Sequence, residues 1–114
     1  MTDPIFKIMT SAEWQNTRKE GVFTGSQADL EDGFIHFSSA SQVRETARRH
    51  FAGRNDLVLL WVEEALIADG LKWEPARGGA LFPHLYAKLD PGMAIAIHDL
   101  VATEDGGHHF PGDF

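Results

Sequence analysis

Two short segments of this 114-residue chain carry polar side chains at the spacing that a strand brings onto one face. In Gly33-Phe34-Ile35-His36-Phe37-Ser38, an extended backbone projects His36 and Ser38 together, with Phe34 beside them, while Ile35 and Phe37 point into the opposite layer. In Phe82-Pro83-His84-Leu85-Tyr86 the same alternation shows an imidazole and a phenol on one side. Imidazole exchanges protons near neutral pH, and hydroxyls both donate and accept hydrogen bonds. Each pair therefore admits two readings. One is a hydrogen-bonded structural histidine on a half-exposed sheet; the other is a pocket in which the histidine donates to a ligand or moves its proton. If the two strands are neighbours, His36, Ser38, His84 and Tyr86 form one polar floor walled by aromatics, as a small-molecule pocket requires.

Other candidates flank these pairs. Trp73 and Glu74 precede the open segment Pro75-Ala76-Arg77-Gly78-Gly79, so a carboxylate, a guanidinium and a flexible backbone could share a rim that suits a ligand with a hydroxyl and a phosphate or carboxylate. Taken alone, Glu74 reads as an ordinary surface acid. Lys7 interrupts an apolar run and is either a ligand anchor or an outward charge; without other information the outward charge is the expectation. His98 alternates with Ala94, Ala96 and Leu100 and reads as structural, while His108 and His109 follow a turn where only adventitious metal binding is expected. No metal site is assigned: a zinc site of His36, His84 and Glu74 matches the residue types, but no helical HExxH pattern is present. There is no Gly-x-Ser-x-Gly elbow and no Gly-rich phosphate loop.

The elements that must position these residues are legible from local pattern. Residues 5–9 read as a strand, followed by a helix whose Thr10 and Glu13 have capping-box spacing, whose Trp14 faces the core and whose end is Gly21. Residues 22–33 read as a loop rich in turn formers. After strand 33–38, Ser39 and Gln42 offer a second capping box for a helix carrying Val43, Ala47 and Phe51 and closing at Gly53. Its other faces hold Arg44, Arg48 and Arg49, read as a solvated surface. Leu57-Val58-Leu59-Leu60-Trp61-Val62 is apolar on both alternating faces and predicts a central strand covered on both sides. Residues 71–74 are extended, Pro83 places 82–86 at a strand edge or start, and residues 93–101 form a strand that Glu104-Asp105-Gly106-Gly107 reverses into a short ribbon. Two main helices in the N-terminal half, followed by strands joined through turns, indicate an α+β fold with a mixed or antiparallel sheet.

Composition bounds the rest. The length suits a single domain over 1–114, with a core from about 5 to 102 and a C-terminal ribbon or tail over about 103–114. The chain has no cysteine, which excludes disulfides, thiolate metal sites and cysteine nucleophiles. A net charge of −7 disfavours general binding to nucleic acid or anionic membrane while leaving room for one locally held small anion. The opening residues lack a basic n-region with a long apolar core, and no apolar run approaches a bilayer span, so a cytoplasmic location is expected. The expected partner is a small-molecule ligand, with a partner's extended segment as the alternative occupant of the same cleft. Oligomeric state has no signature in the pattern.

Together these segments resemble a family of small bacterial and plant proteins known as domain of unknown function 952. The resemblance is carried by Ile5-Phe6-Lys7-Ile8 with Trp14, by Asp32-Gly33-Phe34-Ile35-His36-Phe37-Ser38, Gln42-Val43, Leu57-Val58-Leu59-Leu60, Lys72-Trp73-Glu74 and Phe82-Pro83-His84-Leu85-Tyr86, in the family's order. Phe37 stands where a cysteine is frequent, and Ala87 where a glycine is. At a greater distance the pattern is similar to a minimal ADP-ribosyltransferase fold, a split sheet whose cleft holds NAD. That resemblance implies NAD as a cofactor or substrate, with His36 and Ser38 gripping the nicotinamide-ribose part, Tyr86 shaping the pocket, Glu74 stabilising an oxocarbenium-like ribose and Arg77 meeting the diphosphate. His84 joins His36 and Glu74 as a catalytic candidate, and Lys7 and Trp73 join the ligand-binding set.

Overall fold

The computed structural model describes residues 4–111, and the side chain of Arg77 also lies outside that description. The chain is a single α+β domain of seven strands and three helices among the described residues: β1 (Pro4–Thr10), α1 (Ser11–Glu20), α2 (Gln27–Asp32), β2 (Ile35–His36), α3 (Val43–His50), β3 (Leu57–Glu63), β4 (Leu71–Pro75), β5 (Leu81–Leu85), β6 (Ala94–Ala102) and β7 (His108–His109). The strands form two sheets, β1-β3-β6-β7 and β2-β5-β4, and every pairing is antiparallel. A bridge between Phe6 and Ser38 joins the edge of the first sheet to the chain leaving β2.

β3 is the central strand that its apolar run predicts. One face of the larger sheet, with Ile5, Met9, Val58, Leu60 and Val62, packs against Trp14 of α1 and against Ile35 and Leu85 of the second sheet. The opposite face, with Phe6, Ile8, Leu57, Leu59 and Leu100, packs on Val43 and Ala47 of α3. Burial on both faces requires a run without alternation, since each fully buried large apolar side chain is worth about 1.5–3 kcal/mol over an exposed one. α1 starts and ends where its signals lie: Thr10 and Glu13 form the reciprocal capping box, and Gly21 closes the helix in the left-handed conformation.

Four readings of the sequence need correction. Residues 22–33 are not all loop, because Ser26 and Asp29 form a capping box that starts α2. Ser39 does not cap α3; the helix begins at Val43, and only half of the expected box exists, Gln42 Oε1 accepting from the Ser39 N–H while its Nε2 reaches the Leu81 carbonyl. Strand 33–38 shortens to Ile35–His36, since the ladder breaks before Ser38 turns to bridge Phe6. Pro83 sits in the middle strand of its sheet rather than at an edge or start. Its carbonyl accepts from Phe37 N, and a residue's N and O point to the same neighbour in an antiparallel ladder, so its missing donor falls where β2 has ended.

Candidate functional site

The short ladder between β2 and β5 pairs Ile35 with Leu85 and His36 with His84. Directly paired residues share a face, so the two imidazoles stand side by side, ring centroids 5.7 Å apart, while Ile35 and Leu85 fill the core behind them. Phe34 covers both rings. It stacks on His84 with centroids 4.0 Å apart and lies 4.6 Å from His36 and 5.3 Å from Tyr86.

β4 supplies the third member. Its register with β5 pairs Lys72 with His84 and Glu74 with Phe82, placing Glu74 on the histidine face. Glu74 Oε1 lies 2.9 Å from His84 Nδ1 and accepts the Tyr86 hydroxyl at 2.6 Å. Donation from Tyr86 and then from His84 holds the Glu74 carboxyl below the usual carboxylate range, so it is an anion at neutral pH. An anion only accepts, which puts the His84 proton on Nδ1 and leaves Nε2 with its lone pair. Nε2 has no hydrogen-bond partner among the described residues, although His84 is only 5% exposed. The same contact pushes the Tyr86 phenol above its ordinary value. Tyr86 is the single tyrosine, so absorbance titration reads it alone. The midpoint is expected above the usual value near 10 and should move down in Glu74→Gln; an unchanged midpoint in that variant would contradict the contact.

His36 is held from a different direction. Its Nδ1 lies 2.6 Å from Asp29 Oδ1 and its Nε2 2.9 Å from Asp32 Oδ2, both from α2. The ring is thus held with a carboxylate at each end, which fixes its orientation. Asp29 is 2% exposed and accepts further bonds from Lys7 Nζ at 3.0 and 3.1 Å, from the His36 N–H at 3.1 Å and from the Ser26 N–H at 2.9 Å. Burial opposes its ionisation, but the bond from His36, the Lys7 charge and the Ser26 N–H outweigh that and hold the carboxyl well below the ordinary range. Gly25 lets this cluster close: its φ is +129°, and a Cβ there would come within 2.9 Å of Asp29 Cβ.

Lys7 is therefore not an outward charge. It projects from β1 on the core side and is 6% exposed; burial lowers its ammonium pKa, against the opposing pull of Asp29. Its ammonium is tied to that carboxylate, which removes it from the set of free ligand anchors. Asp29 is the residue that the sequence reading missed, although Ser26-x-x-Asp29 has the spacing that signals a capping box.

His36 and His84 open onto a cavity of about 370 Å³ between the two sheets and α3. Phe6, Phe37, Phe51 and Phe82 give it apolar walls, and Ser38 lies within it, its hydroxyl 3.0 Å from that of Thr46. Trp73 does not join the group: it pairs with Pro83 and so lies on the opposite face from Glu74 and His84. The Arg77 side chain is outside the described residues. His98 stands on the other sheet, its ring 5.4 Å from that of Trp61, and Arg44, Arg48 and Arg49 lie on the exposed side of α3. Among the described residues, no three His, Cys, Asp or Glu side chains are grouped to hold a metal ion.

With the geometry established, comparison with known proteins places the chain. It is similar to protein CC0527 from Caulobacter crescentus, whose crystal structure superposes with a TM-score of 0.90 at 45% identity over 93% of each chain. The solution structure of the same protein gives a TM-score of 0.83 at 46% identity, covering 91% of this chain and 90% of that one. No curated protein matches. The profile of the family described as protein of unknown function (DUF952) matches residues 8–97, which include Asp29, both histidines, Glu74 and Tyr86, and the chain belongs to that family.

Proposed function

We propose that the chain is a small acid-base enzyme acting on a ribosyl substrate of the NAD or ADP-ribose class, with His84 as the base. The observation that carries this reading is the His84 imidazole: buried, oriented by an anionic Glu74, stacked on Phe34, and left with an unpartnered Nε2 beside an apolar-walled cavity. In the step this arrangement serves, the ribose C1′–N bond breaks with its electron pair going to the nicotinamide nitrogen. An acceptor hydroxyl forms the new C1′–O bond and passes its proton to His84 Nε2. Glu74 then balances the imidazolium and the positive charge developing on the ribose. His36, held by Asp29 and Asp32, forms a fixed wall of the pocket, Ser38 lines it, and Tyr86 holds Glu74 in place. Fold analogy with ADP-ribosyltransferases supplies the substrate class and reserves the diphosphate for Arg77. The setting is a cytoplasmic pool of small metabolites, with no role for nucleic acid.

The engagement of both His36 nitrogens favours a second reading, a non-catalytic module that recognises a small anionic metabolite or an extended peptide segment without moving a proton. Titration with NAD and with ADP-ribose, followed by amide NMR, tests the first reading. Shifts are expected at residues 33–39 and 82–86, accompanied by release of nicotinamide. No perturbation at millimolar ligand overturns both ligand assignments, whereas perturbation with NAD left intact selects the module.

A further inference from the structure

The cavity beside His36 and His84 has a definite hydrogen-bond polarity. Among the described residues, its charged lining is Lys7, Asp29 and Asp32. Lys7 and Asp29 satisfy each other: the ammonium lies 3.1 and 3.0 Å from the two carboxylate oxygens, which also accept from Ser26 and His36. Asp32 differs. Its side chain is 57% exposed, its Oδ2 meets His36 Nε2, and its Oδ1 has no partner among the described residues. The His84 ring directs its Nδ1 hydrogen at Glu74, so it turns the Nε2 lone pair to the cavity. The Ser38 hydroxyl, buried in the same wall, shares one bond with Thr46 and keeps a lone pair whichever of the two donates.

We infer that this cavity takes the amine end of a small apolar ligand: an ammonium or amidinium group on an aromatic or aliphatic body, donating to His84 Nε2 and drawn in by Asp32. A nearly buried lone pair left without a donor costs free energy, and a ligand N–H removes that cost. A carboxylate or phosphate in the same place would set its own lone pairs against these acceptors. It would also lose its water to walls of Phe6, Phe37, Phe51 and Phe82, while the lining ammonium is already neutralised by Asp29. Those same walls suit the body of an apolar amine. The inference rests on the reading of this cavity as a ligand site and fixes the chemistry of the group that enters it. In a longer ligand, the anionic groups stay outside.

Benzamidine, benzamide and benzoate are planar, similar in size and different in charge and donors, so together they isolate this property. In amide NMR titrations, benzamidine should shift residues 36–38 and 82–84 with millimolar or tighter affinity, at least about tenfold tighter than benzoate, with benzamide between them. Asp32→Asn keeps an acceptor for His36 at an exposed position, so the fold should persist. It should weaken benzamidine about three- to fivefold and leave benzamide unchanged. Benzoate binding as tightly as benzamidine, no binding by any of the three, or an undiminished benzamidine affinity in Asp32→Asn would overturn the inference. Cleavage of NAD by a chain that does not bind benzamidine would also overturn it while leaving the ribosyl-transfer reading intact. Benzamidine binding with NAD neither bound nor cleaved would do the reverse.

Discussion

Asp29→Ala is expected to destabilise the protein by about 3–5 kcal/mol, because it leaves the Lys7 ammonium buried without its counter-charge. The same change removes the α2 capping box and the acceptor of His36. A drop in melting temperature on the order of 10–20 °C should follow. Lys7→Met should cost less, since it removes the buried charge along with its partner's obligation, and Asp29 keeps the bonds from His36 and Ser26. The effect has a defined pH sign. The Asp29 carboxyl is more acidic in the folded chain than the unfolded value near 3.9, so its stabilisation is complete above that value and is lost as pH falls below it toward the folded value. Urea unfolding at pH 5, 4 and 3 should therefore show parent and variant converging on acidification. A loss below about 1 kcal/mol at neutral pH, or two parallel pH profiles, would remove Asp29 from the centre of this cluster.

His84→Asn is expected to lower nicotinamide release by about 10²- to 10⁴-fold, the usual contribution of a positioned general base, with a far smaller effect on NAD affinity. Asparagine retains a polar group near Glu74 but has no basic nitrogen to take the acceptor's proton. Glu74→Gln should cost less, because the histidine keeps a hydrogen-bond partner while losing the nearby negative charge that favours its imidazolium. The neutral amide also fixes the ring less firmly in the Nδ1–H tautomer, so the rate should fall at every pH. Turnover within about tenfold of the parent in His84→Asn would assign His84 to structure instead.

The two variants probe residues that differ in how visible they are beforehand. His84 stands out because an imidazole and a phenol alternate on an otherwise apolar strand. Asp29 does not, because a carboxylate among Gly, Ser and Gln in residues 22–33 looks like any turn residue. What distinguishes it is the lysine that arrives from β1 and the imidazole that arrives from β2. Trp73 shows the converse. It neighbours Glu74 in sequence, yet the period-two alternation of β4 sends the indole and the carboxylate to opposite faces.

The short-range features are set by neighbouring residues. The Thr10–Glu13 box and Gly21 bound α1, the two-faced apolar run made β3 central, the turn at Glu104–Gly107 led to β7, and alternation paired His36 with Ser38 and His84 with Tyr86. Each depends on hydrogen bonds or side-chain periods that span a few residues, so the local residues suffice. Contacts between distant segments settle that His36 faces His84, that Lys7 is buried on Asp29, that Pro83 is tolerated in a middle strand and that Trp73 lies behind the site. Those outcomes follow from strand register and from burial against distant segments, where the free energy belongs to a pair of elements and neither sequence alone carries it.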